Sequence, residues 1–91
     1  MRGLTAVITG GSGQLGRTMA QALAQAGVQV AVVSLHTETA GTVAEAIQTS
    51  GGQALGIACD VLDRVALERT LEQVTSTFGP VDMLINAAGG N

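Results

Sequence analysis

Apolar and polar residues follow two different periods along the chain, which together predict four strands separated by three helices. Short apolar runs rich in β-branched residues are typical of strands buried on both faces of a parallel sheet. The four runs extend from Leu4 to Ile8, from Val28 to Val33, from Ala54 to Cys59 and from Val81 to Ile85. The segments between them are long enough for helices.

Apolar residues spaced three and four positions apart predict the helices. The first is predicted from about Gly13 to Ala26 and the second from about Glu38 to Ser50, while the third follows Asp63, a good N-cap, and ends before Gly79-Pro80. The predicted apolar faces are, in turn, Leu15, Met19 and Leu23; Ala40, Val43, Ala44 and Ile47; and Leu67, Leu71, Val74 and Phe78.

Alternating strands and helices with short connections predict a parallel sheet with right-handed crossovers. The strand order that fits is 3-2-1-4. The predicted fold class is therefore α/β, half of a doubly wound (Rossmann) parallel sheet with three helices. A ligand crevice is expected at the carboxyl ends of the first and fourth strands, where the order reverses.

A glycine-rich turn joins the first strand to the first helix. Gly11, Gly13 and Gly16 fill the spacing G-x-G-x-x-G. Glycine serves here to make the tight turn, to let the backbone approach a pyrophosphate and to let helix and strand pack closely, and the anion is held by N–H groups at the helix start. The turn predicts that residues 1–91 form one truncated dinucleotide-binding domain.

Composition narrows the possible partners. Seven acidic residues against four arginines give a net charge of −3, without a basic cluster, so neither nucleic acid nor an anionic membrane is an expected partner. No apolar run approaches the roughly 18 residues of a membrane span. The first strand begins too early to leave room for a signal peptide, and Cys59 has no second cysteine to pair with. A cytoplasmic protein with a buried thiol is expected.

Three motifs carry a family resemblance. Thr9-Gly10 with Gly16, Cys59-Asp60-Val61, and the segment Asn86-Ala87-Ala88-Gly89 resemble the N-terminal part of the short-chain dehydrogenase/reductase family, which binds NAD or NADP on this fold. Within that family the closing segment is most similar to sugar-acid oxidoreductases of the mannonate type. Gln14 replaces the middle glycine of the commonest pattern, T-G-x-x-x-G-x-G, although the stretch satisfies the T-G-x-x-G-x-x-G of extended members.

The resemblance implies three groups of cofactor contacts. Residues 10–15 would contact the pyrophosphate, Asp60 and Val61 the adenine, and residues 86–89 the adenosine ribose. With Ser34 at the end of the second strand, the candidate cofactor-binding residues are Gly10, Gly11, Ser12, Gly13, Gln14, Leu15, Gly16, Ser34, Asp60, Val61, Asn86, Ala87, Ala88 and Gly89.

The end of the second strand bears on the choice between NAD and NADP. NAD-binding folds of this type place an acidic residue there, on the ribose hydroxyls. Ser34-Leu35-His36 offers no carboxylate that would repel a 2′-phosphate, which favours NADP. The interpretation of His36 as an exposed loop histidine before a helix is preferred to a role in contacting that phosphate.

No catalytic or metal-binding residue is predicted. Family members continue into a second half with a serine and a Tyr-x-x-x-Lys pair, whereas this chain contains no tyrosine and no lysine. Since proton transfer requires a suitably placed donor, no turnover is expected from this chain alone. Two alternatives remain: a non-catalytic nucleotide-binding or regulatory module, and a subunit whose catalytic groups come from another chain.

The expected sheet also predicts self-association. The first two helices would lie on one face, leaving the third helix to cover four strands alone. The uncovered apolar surface and the open edge of the fourth strand, where Asp82 is the one charge, favour a homodimer or higher homo-oligomer built around that strand and the third helix.

Overall fold

The computed structural model describes residues 3–10 and 13–87. All seven predicted elements are present, each within a few residues of its predicted bounds. They are β1 (Thr5–Thr9), α1 (Gln14–Gln25), β2 (Gln29–Ser34), α2 (Thr37–Thr49), β3 (Ala54–Ala58), α3 (Arg64–Phe78) and β4 (Met83–Asn86). The candidate residues Gly11, Ser12, Ala88 and Gly89 lie outside the described residues.

The four strands form one parallel sheet in the order β3-β2-β1-β4, as predicted. Val7 in β1 lies opposite Ala31 in β2 and Leu84 in β4. This register brings the carboxyl ends of all four strands to one edge of the sheet.

The face of the sheet that carries α1 and α2 holds the larger cluster of buried side chains. β1 and β2 contribute Ala6, Ile8, Val30 and Val32, all fully buried. The predicted apolar face of α2 is confirmed, because its members are buried against this layer: Ala40, Val43, Ala44 and Ile47.

The packing face of α1 differs from the prediction. Leu15 is 54% exposed, and the buried residues of the helix are Gly16 and Ala20, with Met19 and Leu23 partly buried beside them. Small residues at positions 16 and 20 let the helix backbone approach the strands closely, which turns Leu15 away from the sheet. The prediction that Leu15 belongs to the core was wrong.

The opposite face is covered by α3 over three of its four strands. Val7, Ala31 and Val33 are fully buried there, and the predicted face of α3 packs against them through Leu67, Leu71, Val74 and Phe78. The uncovered apolar surface is therefore narrower than the sequence suggested. The exposed large apolar side chain among the described strand residues is Leu84 of β4, which is 65% exposed.

Asp82 takes part in joining β4 to β1. Its carboxylate accepts a hydrogen bond from the backbone N–H of Thr5 at 2.8 Å, and its own N–H donates to the Thr5 carbonyl at 2.8 Å. The side chain thus holds the start of β4 against its neighbour.

None of the helices within residues 3–10 and 13–87 has the length and apolar character needed to cross a bilayer.

Candidate functional site

The turn after β1 leads the chain into the N-terminus of α1. Gly10 has φ +71°, a left-handed conformation that favours glycine, and its N–H donates to the Val33 carbonyl at 2.8 Å. Gly13 then serves as the N-cap of α1 and has no side chain to cap the helix. The turn is thereby tied to the end of β2.

The N-termini of the three helices differ in what they offer an anion. The Asp63 side chain caps α3 by accepting from the Ala66 N–H, and Glu38 lies in the first turn of α2. The first turn of α1 contains no acidic residue and has no side-chain cap. Because helix N-termini attract negative charge, the N-terminus of α1 is the one suited to a phosphate group.

The backbone conformation and surroundings of Gly13 indicate whether the turn fits a dinucleotide. Its φ of −73° and ψ of 168° are open to any residue, and a Cβ added to it would lie 3.6 Å from the nearest atom, the Gly10 carbonyl oxygen, an ordinary contact. Neither the backbone conformation nor the protein's own packing requires glycine there. The missing side chain leaves space above the helix N-terminus, as close approach of a pyrophosphate requires.

An open cleft of about 410 Å³ lies at the carboxyl edge of the sheet, beside this turn. The segments that follow all four strands contribute to it. Its lining residues are Gly10, Gly13, Val33, Ser34, Leu35, His36, Cys59, Asp60, Val61, Leu62 and Ala87. Asp60 is the one carboxylate among them.

The connection after β3 is shaped by Asp60. Its Oδ1 accepts from the Leu62 N–H at 3.0 Å, and its backbone carbonyl accepts from the Asp63 N–H at 2.9 Å. This tight turn projects Leu62, which is 91% exposed, while Leu35, from the connection after β2, is 66% exposed. The cleft therefore combines exposed apolar side chains with one exposed carboxylate.

The end of β2 is polar without being acidic. The Ser34 hydroxyl lies 3.1 Å from the Thr39 hydroxyl and accepts from the His36 N–H at 3.3 Å. His36 is exposed and occupies the N-cap of α2. Within the described part of the chain, no carboxylate from β2 or α2 lines the cleft.

Asn86 joins the ends of β4 and β1. Its Oδ1 accepts a hydrogen bond from the Thr9 hydroxyl at 3.1 Å, and the Ala87 N–H donates to the Thr9 carbonyl at 2.9 Å. These bonds place Ala87 in the cleft. Asn86 thus aligns the two strands on either side of the point where the strand order reverses.

Six of the candidate residues named from the sequence line the cleft together: Gly10, Gly13, Ser34, Asp60, Val61 and Ala87. Gln14 and Leu15 are exposed in the first turn of α1, whereas Gly16 is buried under it. Leu35 and His36 belong to the predicted end of β2, whereas Cys59 and Leu62 were not named from the sequence as cofactor contacts. The hydrogen bond from the Leu62 N–H to Asp60, which positions Leu62, leaves no signal in the hydrophobic pattern.

A second cleft of about 410 Å³ lies at the opposite edge of the sheet, between the C-terminal ends of α1 and α2. Its lining contains no charged side chain and consists of Gln21, Ala24, Gln25, Ile47, Ser50, Gly51 and Gly52. Helix C-termini present carbonyl groups, which repel phosphate. Of these two clefts, the one at the carboxyl edge therefore has the chemistry for a nucleotide.

Metal-ligating residues are dispersed. Across residues 3–10 and 13–87, no group of three or more His, Cys, Asp or Glu side chains is placed to hold a metal ion.

A parallel sheet in this order, with an uncapped helix N-terminus beside an open cleft at the carboxyl ends of the strands, defines a dinucleotide-binding fold of the Rossmann type. The family model described as short chain dehydrogenase matches residues 4–91. The chain belongs to the short-chain dehydrogenase/reductase family, whose members bind NAD or NADP.

Curated relatives and solved structures agree with this assignment. An uncharacterized oxidoreductase of Bacillus subtilis is 50% identical over 91 residues, all of this chain and 33% of the relative. The 7alpha-hydroxysteroid dehydrogenase of Escherichia coli is 36% identical over 88 residues, covering 97% of this chain and 34% of the relative.

Among solved structures, a hydroxysteroid dehydrogenase from Escherichia coli superposes with a TM-score of 0.90 at 34% identity, over 93% of this chain and 36% of that one. A candidate D-mannonate oxidoreductase from Haemophilus influenza, with NAD bound, has a TM-score of 0.89 at 31% identity, over 92% of this chain and 30% of that one. The chain thus spans about a third of the length of the relatives it matches.

Proposed function

We propose that the 91-residue chain forms one domain that binds NAD or NADP through the adenosine half of the cofactor. The single observation that carries this is the space left by Gly13 over the uncapped N-terminus of α1. The pyrophosphate would lie along residues 10–15, the adenine beside Asp60 and Val61, and the adenosine ribose near Ser34 and residues 86–89. The nicotinamide, when bound, supplies the hydride acceptor or donor of the family's chemistry.

Isothermal titration calorimetry with the purified chain tests this function. Binding of NAD or NADP in the micromolar to millimolar range is expected, because part of a full site is present. Absence of heat from NAD, NADP and ADP-ribose at millimolar ligand would refute the proposal.

NADP is proposed as the better ligand of the two. Ser34 ends β2 where an acidic residue would otherwise hold the ribose hydroxyls and repel a 2′-phosphate. The Ser34 and Thr39 hydroxyls, 3.1 Å apart, supply polar groups at this position without a negative charge. A paired titration tests the preference, and tighter binding of NAD than of NADP would contradict it.

We also propose that the chain self-associates and that it is located in the cytoplasm. The exposed Leu84 and the edge of β4 support a homodimer or higher oligomer. Cys59 is buried and is the one cysteine of the chain, so the fold has no internal disulfide that an oxidising compartment would maintain. Recovery of the protein in a secreted or periplasmic fraction would contradict the location.

A further inference from the structure

The second cleft, between the C-terminal ends of α1 and α2, lies at the amino edge of the sheet, where the strands begin. Neither helix has a basic residue in its last turn. A helix C-terminus carries partial negative charge, which a nearby cation stabilises. Two such ends therefore meet at this amino-edge cleft without a cation from the last turn of either helix.

The other charged side chains of the described residues do not supply that cation. Arg17 and Arg64 lie in the first turns of α1 and α3, and Arg69 lies in the first half of α3, so all three are towards the opposite ends of their helices. Asp82, directly before β4, adds a carboxylate to the amino edge. The electrostatic potential at this edge is therefore expected to be negative.

The amino-edge cleft offers hydrogen-bond acceptors. The Ser50 hydroxyl donates to the Ala46 carbonyl at 3.1 Å, which leaves the hydroxyl oxygen to accept. Among the described residues, no N–H donates to the carbonyls of Gln25 and Thr49, the last residues of α1 and α2. The side chains of Gln21 and Gln25 add two amide oxygens to the lining. These acceptors are all uncharged.

We propose that the amino-edge cleft binds a primary alkylammonium ion. An ammonium group has three donors and no acceptor, which suits carbonyl and hydroxyl oxygens beside two helix C-termini. Ala24 and Ile47 in the lining provide apolar surface for the alkyl chain. Because Ca²⁺ and Mg²⁺ are bound largely through carboxylates, a lining without charged side chains does not favour them. The site is separate from the nucleotide cleft, so its failure would leave the proposed function standing.

Amide chemical shifts of the intact, isotope-labelled chain, followed by NMR during titration with n-butylammonium chloride, test the proposal. Saturable shifts are expected around Ala24, Ser50 and Gly52, with a dissociation constant on the order of 1–10 mM because no carboxylate contributes. n-Butanol has the chain without the charge, potassium has the charge without the chain, and each should bind at least about tenfold more weakly. Saturable shifts of equal affinity with either of them, or none with n-butylammonium up to about 100 mM, would overturn the proposal.

A lysine placed in the cleft gives a second measurement. Gln25→Lys puts an ammonium group at the last residue of α1. It should weaken n-butylammonium binding at least about fivefold and raise the melting temperature by a few degrees, because its charge stabilises the helix C-terminus. Gln73→Lys is the matched control, since it makes the same change at an exposed position of α3 outside the cleft lining. Unchanged binding in Gln25→Lys, or equal weakening in both variants, would overturn the proposal.

Discussion

Gly13 is the residue at which ligand binding and folding are most cleanly separated. A Cβ added there would make only one ordinary contact within the protein, with the Gly10 carbonyl oxygen, and the side chain would enter the space above the N-terminus of α1. We expect Gly13→Val to lower dinucleotide affinity by at least about tenfold, because the branched side chain blocks the pyrophosphate. Because valine is a poorer N-cap than glycine, the melting temperature should fall by a few degrees only, and calorimetry together with thermal denaturation measures both effects.

Gly41→Ala is the control for that substitution. Gly41 lies within α2, away from the cleft, and an added Cβ would meet no atom within 4 Å. We expect unchanged affinity and a gain of about 0.4–1 kcal/mol in the free energy of unfolding. Equal affinity of Gly13→Val and the unaltered chain would show that the pyrophosphate does not approach this turn.

Ser34 is the residue expected to set the preference between NAD and NADP. A carboxylate at this position would face the 2′-phosphate of NADP at short range, with a repulsion on the order of 1–4 kcal/mol. We therefore expect Ser34→Asp to reverse the preference towards NAD, with Ser34→Asn as the uncharged control. Paired titrations measure it, and an unchanged NADP-to-NAD ratio in Ser34→Asp would place the 2′ position elsewhere.

Residues at strand ends were predictable from the sequence because parallel strands bring their carboxyl ends to one edge. Asp60, Ser34 and Ala87 therefore line the same cleft, as expected. Leu62 was not predicted, since its exposure depends on the hydrogen bond between its N–H and the Asp60 carboxylate, which periodicity does not encode. Local turn geometry, rather than the hydrophobic pattern, decides which apolar side chain enters the cleft.

At the scale of elements, Gly56 controls how closely α2 packs on β3. A Cβ added to Gly56 would lie 2.6 Å from the Ala40 carbonyl oxygen and 2.9 Å from the Gly41 nitrogen, both backbone atoms of α2. We expect Gly56→Ala to lower the free energy of unfolding by about 1–3 kcal/mol, because the helix must move outwards. Urea denaturation measures this, and an unchanged midpoint would mean that α2 shifts without cost.

The helices show what the sequence pattern could and could not specify. The pattern located the buried face of α2 correctly because Val43 and Ile47 are both large and buried. It misplaced the face of α1 because periodicity gives most weight to large side chains such as Leu15, whereas the contact is made through Gly16 and Ala20. Close backbone approach through small residues leaves only a weak hydrophobic signal.

At the scale of the whole molecule, we expect the purified 91-residue chain to have no oxidoreductase turnover. Acid–base catalysis needs a proton donor within hydrogen-bond reach of the substrate, and this chain has no tyrosine or lysine to supply one. Absorbance of the reduced cofactor measures turnover, with the Escherichia coli 7alpha-hydroxysteroid dehydrogenase and its steroid as the positive control. Cofactor-dependent carbonyl reduction by the homogeneous chain would contradict this expectation.

β4 is an incompletely covered edge strand of the sheet. β4 pairs with β1 on one side, and no described strand pairs with its other edge. Leu84 is 65% exposed on the face that α3 covers elsewhere, and Asp82 is engaged with the backbone of Thr5. An open edge with an exposed apolar side chain favours pairing with another strand. A two-fold axis between two copies of β4 would let the open edges of the two strands pair with each other.

We therefore expect the unaltered chain to form a homodimer or higher oligomer at micromolar concentration. Leu84→Glu should shift the equilibrium towards the monomer, because it places like charges close to the two-fold axis. Leu35→Glu is the matched control, because Leu35 is 66% exposed but follows β2, which β1 separates from β4. Sedimentation equilibrium measures the mass of each variant. A stable 9.1 kDa monomer for the unaltered chain would show that the exposed part of β4 does not drive association. Dissociation by Leu35→Glu but not by Leu84→Glu would move the interface to the carboxyl edge of the sheet.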